Sequence, residues 1–445
     1  MKITIAGSGQ TAEHLARTLS VEGQDIVVVD KDDAKLRSLE ADGNFITVAG
    51  DARDVRTLRR AEAGQAALFV AVTPSETLNL TSALLAKSLG AKVTVARIDS
   101  PSLLLPDATA ALAKAGIDNL IMSERLAAEE AARFLRHNGV SDWMRFPGGQ
   151  LLIAGAVLSP SSPLCDEPLA SLSATGHARN FHIVAAERKG NIIIPRGSDI
   201  LRAGDHVFFA VTRNDIDALP ALCGSQWVRP NRIMITGGGR VTEHLLGLLP
   251  PHCRATVLEP DTMRCRRLAA LFPAVAVTRA ASSETDVMTQ EGIDNCDAFL
   301  ALSGSAEANI VACMVARQHG VPKTLARIEE LQYMAEARSL AIDKIVNKKL
   351  LNTSAVVRLM LETDTDSARC FSLGYAEVLS LRVGPKSPIA DKPLSAVNMP
   401  RGVTVAGVIH GEESEVANGA TVIKPGDRAV FFCAAGSIRR LRKLI

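Results

Sequence analysis

Gly7-Ser8-Gly9-Gln10-Thr11-Ala12 follows the apolar run Ile3 to Ala6 and opens a stretch with helical periodicity, Thr11 to Ser20. Two glycines and a small residue at this spacing can cradle a phosphate. The first glycine permits a tight turn, and the second lets a pyrophosphate approach the backbone. The N–H groups that open the helix then face the anion. The spacing alone is a weak signal. It is strengthened by an acid, Asp30, about 20 residues further on at the end of the next apolar run, with Lys31 behind it. A carboxylate there accepts from both hydroxyls of a ribose and repels a 2′-phosphate. The pattern therefore points to NAD(H) rather than its phosphorylated form.

Other residues fall where a nucleotide would lie. Gly50, Asp51 and Ala52 follow a third apolar run, at the edge where an adenine would sit. A turn or capping role competes with base contact at Asp51. Thr73 and Asn79 follow a fourth run, near the crevice where strand order reverses; Asn79 also reads as a helix-start residue. Arg97 ends a fifth run and could reach phosphate or a carboxylate of another subunit, with a surface ion pair as the plain alternative. Glu124 is a weaker candidate for holding a metal ion beside phosphate. No spacing defines a metal site, and no catalytic residue is assigned.

The strand–turn–helix unit occurs twice. KITIAGSGQTAEHLARTL faces RIMITGGGRVTEHLLGLL, so Gly7 matches Gly237, Gly9 matches Gly239 and His14 matches His244. At the same offset Ala67–Thr73 faces Asp297–Ser303, Asn79 faces Asn309, and Arg97 faces Arg327. Ser162–Leu172 resembles Ser387–Val397, and Arg202-Ala203-Gly204-Asp205 resembles Lys424-Pro425-Gly426-Asp427. The second copy keeps Gly237, Gly239 and an acid, Glu259, but it diverges. Arg240 replaces Gln10, with Val241 next to it, and Thr242 stands where alanine or glycine is preferred. Ala280-Ala281 replaces Gly50-Asp51, and Ala306 replaces Glu76. An arginine after the second glycine could neutralise phosphate charge. A second nucleotide site and a degenerate structural copy both remain open.

Apolar strands alternating with helices read as a parallel sheet covered on both faces. The intervening segments are short β runs broken by Ser, Pro and Gly. The expected fold is α/β: two Rossmann-like parallel-sheet domains, each followed by a small α+β subdomain. The domains are residues 1–137, 138–225, 231–362 and 374–445, with breaks near Gly148, Pro230 and Gly374. Amphipathic helices, Glu124 to His137 and Lys348 to Leu361, close the Rossmann-like halves. Their apolar stripes must pack on their own domain or on another subunit.

Composition excludes several classes. Net charge is +2 over 445 residues, so nothing marks a nucleic-acid binder. The basic cluster Arg439, Arg440, Arg442, Lys443 reads as a solvated helix face, with an acidic partner as the minor alternative. Apolar runs fall short of the ~18 residues a membrane span needs, and the start carries no signal-peptide pattern. The eight cysteines form no Cys-x-x-Cys pair and read as reduced, buried residues. A cytoplasmic chain is expected. An NAD-dependent dehydrogenase would need a proton donor or acceptor at the nicotinamide. Neither tyrosine, Tyr333 or Tyr375, opens a Tyr-x-x-x-Lys, and His14 and His244 lie inside the first helices, where they read as packing residues.

The ordered set GSGQTA, VVVD, GDARD, ETLNL and VARI, followed by SPL…PL…GD and then repeated, resembles the TrkA family. These are cytosolic regulatory subunits of bacterial Trk potassium uptake systems, built from two RCK (regulating conductance of potassium) units. The resemblance covers essentially the whole chain. It implies a regulatory protein rather than an enzyme, with NAD(H) in the first Rossmann-like domain and ATP or ADP possible in either. It implies a homotetrameric ring, peripheral to the cytoplasmic face of the inner membrane. That ring would dock on a TrkH/TrkG-like potassium-translocating subunit, with no nucleic-acid partner. A sensor for another cation transporter or antiporter is the alternative within this class.

Overall fold

A computed structural model describes the chain except residues 22–23, 43–44, 137–139, 147–150, 175–180, 189–190, 225–229, 331–332, 334–336, 338–339, 341, 364–368, 373–375, 386, 412, 435–436, 438–440 and 442–445. Gly148, Gly374, His137, Tyr375 and the basic cluster Arg439, Arg440, Arg442, Lys443 lie outside the described residues.

The first sheet holds β1 (Lys2–Ala6), β2 (Asp25–Asp30), β3 (Ile46–Ala49), β4 (Leu68–Ala71), β5 (Val93–Arg97) and β6 (Asn119–Ile121). Its order is β3-β2-β1-β4-β5-β6, and every described pairing is parallel. The central strands are buried along nearly their whole length, because helices cover both faces. Chain order reverses between β1 and β4, which splays their carboxyl ends and leaves a crevice there. A five-stranded antiparallel sheet follows: β7 (Val140–Arg145), β8 (Leu151–Val157), β9 (Phe181–Arg188), β10 (Asn191–Ile193) and β11 (His206–Thr212), in the order β10-β9-β11-β8-β7.

The second half repeats this. Parallel β12 (Arg232–Thr236), β13 (Arg254–Leu258), β14 (Ala276–Thr278), β15 (Ala298–Ala301), β16 (Thr324–Arg327) and β17 (Lys344–Val346) run in the order β14-β13-β12-β15-β16-β17. Antiparallel β18 (Arg369–Ser372), β19 (Ala376–Arg382), β20 (Val403–His410), β21 (Glu413–Val416) and β22 (Arg428–Ala434) then run β18-β19-β22-β20-β21. This is the order of the first antiparallel sheet read from its other end. The fold is thus two Rossmann-like sheets, each followed by an antiparallel α+β module.

Compactness does not follow chain order. One unit joins Met1–Arg133 to Pro230–Thr363, and the other joins Phe134–Arg229 to Asp364–Ile445. Like therefore packs with like. In the first unit the closing helices span Ser123–Arg136 and Lys348–Thr363. Helix Lys348–Thr363 packs against helix Gln10–Val21 of the other Rossmann half. Asn352 Nδ2 donates to Ser123 Oγ at 2.9 Å, and Lys344 Nζ pairs with Glu130 Oε1 at 2.8 Å. The partner of this helix is thus the other half of the same chain.

The second unit has a core between its sheets, where Ile153, Val184 and Phe208 meet Val378, Val430 and Phe432. The Phe208 and Phe432 rings lie 6.0 Å apart, and His182 Nε2 is 3.1 Å from Thr404 Oγ1. The repeated Gly-Asp turns are pinned from within. Buried Asp205 takes Arg188 through both carboxylate oxygens and accepts from Arg202 N–H at 2.9 Å. Asp427 accepts from Lys424 N–H at 2.7 Å and pairs with His410 Nδ1 at 2.9 Å.

Candidate nucleotide site

The turn between β1 and helix Gln10–Val21 is shaped by its glycines. Gly7 has φ +115° and lies against the end of β4; a Cβ there would stand 3.2 Å from Thr73 Cγ2. A side chain would suffer both the left-handed backbone and a tight contact. Gly9 is exposed, and a Cβ on it would meet nothing within 4 Å. The open space over Gly9 is what a bound pyrophosphate requires. Ala12 is fully buried under the helix, as a small residue at that position must be. Gln10 is exposed and Thr11 half-buried beside the turn. The first N–H groups of a helix have no intrahelical acceptor and point outward.

Asp30 closes the turn from β2. Its Oδ2 accepts from Ser8 N–H at 2.7 Å and from the Ser8 hydroxyl at 2.8 Å, and its Oδ1 accepts from Asp32 N–H at 2.9 Å. Asp30 is half-buried and Lys31 exposed. A carboxylate offers about four acceptor positions, so one remains, and the rotatable Ser8 hydroxyl can release another. Sequence reading did not anticipate this latch, although an acid two residues before Asp32 is the usual pattern of a side chain capturing a nearby backbone N–H.

Gly50 is required by its neighbours: a Cβ would fall 2.5 Å from Thr57 Oγ1. Asp51 accepts from Arg53 N–H at 2.9 Å and pairs with Arg53 Nη2 at 2.7 Å. These Arg53 hydrogen bonds hold its carboxyl at about 2. The turn role of Asp51 is thus observed. Buried Ala52 packs into the core of the sheet's face.

Asn79 sits in the first turns of helix Glu76–Leu89, whose N-cap is Ser75. Its buried amide is fully engaged. Oδ1 accepts from Thr73 N–H at 2.9 Å and the Thr73 hydroxyl at 2.7 Å; Nδ2 donates to the carbonyls of Thr73 at 3.0 Å and Arg97 at 2.9 Å. Asn79 therefore staples the ends of β4 and β5. Arg97 Nη2 lies 3.3 Å from Asp99 Oδ1, while its buried Nε has no partner among the described residues. Glu76 holds the following loop, accepting from Asp99 N–H at 2.6 Å and Ser100 N–H at 2.7 Å. Glu124 Oε1 pairs with Lys348 Nζ at 3.0 Å, while its buried Oε2 has no partner among the described residues. Burial works to raise its carboxyl, but the Lys348 ammonium and hydrogen bonds hold it below the ordinary value.

The second turn has the same backbone and different chemistry. Gly237 has φ +93°, and a Cβ there would lie 2.7 Å from Ser303 N; Gly239 faces open space. Val241 is buried, and buried Thr242 donates its hydroxyl to the Gly237 carbonyl, which lets threonine fit the third small position. Glu259 is only 2% exposed. It accepts from Gly238 N–H at 2.5 Å and Asp261 N–H at 2.9 Å. These are the N–H groups that match the ones Asp30 takes from Ser8 and Asp32. Ala281 N–H is met by Glu284 Oε1 at 2.6 Å, a contact different from the one Asp51 makes to Arg53 N–H in the first copy. Exposed Arg240 reaches the Asp99 carbonyl of the first half at 3.2 Å.

A glycine turn at the switch point of a parallel sheet, an acid on the next strand and a second copy of both define a duplicated Rossmann-fold chain. The TrkA-N domain family matches residues 3–123 and 233–348, and the TrkA-C domain family matches 153–224 and 378–445. The first covers more than half of the chain, and the chain belongs to the TrkA family. It is similar to the Trk system potassium uptake protein TrkA of Halomonas elongata, 27% identical over 436 residues, covering 97% of this chain and 95% of the relative. The protein of the same name from Vibrio alginolyticus is 28% identical over 439 residues, with 97% and 95% covered. Among solved structures, the GsuK RCK domain aligns with a TM-score of 0.61 at 16% identity, covering 100% of this chain and 94% of that one. A GsuK channel bound to NAD aligns with a TM-score of 0.62 at 17% identity, covering 100% and 78%. These two likenesses concern the fold. Among the described residues, no helix is long and apolar enough to cross a membrane.

Proposed function

We propose that this chain is the nucleotide-binding regulatory subunit of a potassium uptake system and gates a separate membrane-embedded subunit. The observation that carries the reading is the first glycine turn: open space over Gly9, a helix N-terminus behind it and Asp30 beside it. NAD(H) lies with its pyrophosphate over Gly7–Ala12 and its adenosine ribose on Asp30, where a ribose hydroxyl takes the place of the Ser8 hydroxyl. The adenine lies toward Gly50–Ala52, with Lys31 at the rim. The other half of the dinucleotide runs past Thr73, whose position Asn79 fixes, toward Arg97. ADP and ATP compete for the same turn. The second turn, Gly237–Val241 with Glu259, is a diverged copy that serves the pairing of the halves.

A family of proteins named for potassium uptake supplies the partner class. The partner is a TrkH/TrkG-like subunit, and the chain assembles into a tetrameric ring on the cytoplasmic face of the inner membrane. Gating follows from population shift: a nucleotide biases the ring only by its differential affinity for two shapes. Such couplings are typically ~1–3 kcal/mol. The chain has no catalytic role.

Pulldown from detergent-solubilised membranes, with and without NADH, tests the reading. A potassium-translocating subunit is expected in the eluate in amounts that change with nucleotide. Recovery of none in either condition would sink the assignment.

A further inference from the structure

Between the two closing helices of the first unit, one side is filled and the equivalent side is open. The segments Gly116–Arg136 and 341–361 align residue for residue: Ile117-Asp118 matches Ile342-Asp343, Asn119 matches Lys344, and Glu130 matches Ala355. On the filled side Lys344 and Glu130 form an ion pair at 2.8 Å, with side chains 10% and 13% exposed. On the other side Asn119 and Ala355 occupy the matching positions. They are too short to meet, and both line a cavity of about 270 Å³.

The cavity has an apolar body and a polar mouth. Leu104, Leu120, Leu126 and Leu359 supply the body. Asn119 supplies an amide that makes no side-chain hydrogen bond among the described residues. Arg125 and Glu129 also line it, and among the described residues Arg125 bonds only through Nε, to Glu129 Oε1 at 2.8 Å, which offsets that carboxylate's charge. A guanidinium has five N–H donors, so the terminal amino groups of Arg125 are available to a second acceptor. An apolar lining with a few convergent polar groups is the usual character of a small-molecule site.

We infer that this cavity is a second ligand site, distinct from the glycine turn, for a small carboxylate with an apolar tail. The carboxylate accepts from Arg125 and from the Asn119 amide, and the tail lies among the four leucines. The bound molecule replaces the lost Lys–Glu pair and holds the two closing helices at one separation. It acts on the Rossmann pair without occupying either glycine turn.

The test uses the full-length protein and millimolar hexanoate, followed by saturation-transfer NMR, with hexanol as the uncharged control. Hexanoate is expected to bind at least tenfold more tightly than hexanol. The double variant N119K/A355E, which rebuilds the ion pair of the other side, is expected to weaken hexanoate at least tenfold. Ala355→Phe, which fills the space without charge, should do the same. NAD(H) affinity of both variants should match the parent, which shows that they are folded. No hexanoate binding to the parent, equal binding of hexanol, or unchanged binding in the filled variants would each overturn the proposal.

Discussion

The two glycine turns of this chain share a skeleton and differ in what they present. Gly7 and Gly237 both take positive φ against the end of the neighbouring strand. Asn79 and Asn309 staple the same four backbone and hydroxyl groups at nearly the same distances. Asp118 and Asp343 each accept from the N–H of the matching threonine, at 2.8 and 2.7 Å. The groups that would face a ligand differ. Asp30 is half-buried, whereas Glu259, which takes the two matching backbone N–H groups, is buried. Gly50-Asp51 has become Ala280-Ala281, and Gln10 has become Arg240, which contacts the first half. Duplication has kept what positions the site and relaxed what fills it.

If the skeletons are equivalent, breaking either staple should hurt equally. Asn79→Ala and Asn309→Ala each strand a buried backbone N–H and two carbonyls. At about 1–3 kcal/mol for a buried group left without a partner, each variant should lose about 3 kcal/mol of stability in urea unfolding. A gap between the two larger than about 1 kcal/mol would show that the frameworks are not equivalent.

The antiparallel modules offer a similar contrast, at a position where one copy titrates and the other cannot. His182 in β9 faces Thr404 at the matching place in β20. Burial pushes the His182 imidazole down to about 4. Its folded value lies below its unfolded one, so the unfolded chain binds more protons. Its contribution is present above about pH 6.5 and is lost as pH falls toward 4. Between pH 6.5 and pH 5 the parent should lose about 1.5 kcal/mol through this group. In His182→Thr, which copies the other module, that slope should be absent. His14 and His244 are also lowered, chiefly by burial, so the difference between parent and variant is the quantity to compare. An unchanged slope would remove His182 from the account.

Much of the frame was legible before the structure. The strands, the turn and the duplication follow from apolar runs and glycines, which are local signals. The tertiary choices were not. Nothing in the apolar stripe of helix Lys348–Thr363 says that its partner is helix Gln10–Val21 rather than another subunit. The role of Asn79 depends on the carbonyl of Arg97, a strand away, and a helix-start asparagine has no sequence mark for that contact. Glu259 and Asp30 look alike as acids at a strand end. Both take the N–H groups of the turn and of the residue two positions on, yet the glutamate is buried and the aspartate half-buried. Thr242 looked like a defect, yet its hydroxyl finds the Gly237 carbonyl.

The central claim is that the first copy is the nucleotide site and the second is not its equal. Isothermal calorimetry with NADH on the parent, Asp30→Ala and Glu259→Ala tests it most directly. Asp30→Ala should lose at least tenfold in affinity, about 1.4 kcal/mol, while Glu259→Ala should stay within about twofold of the parent. Unchanged affinity in Asp30→Ala, or an equal loss in Glu259→Ala, would contradict the account.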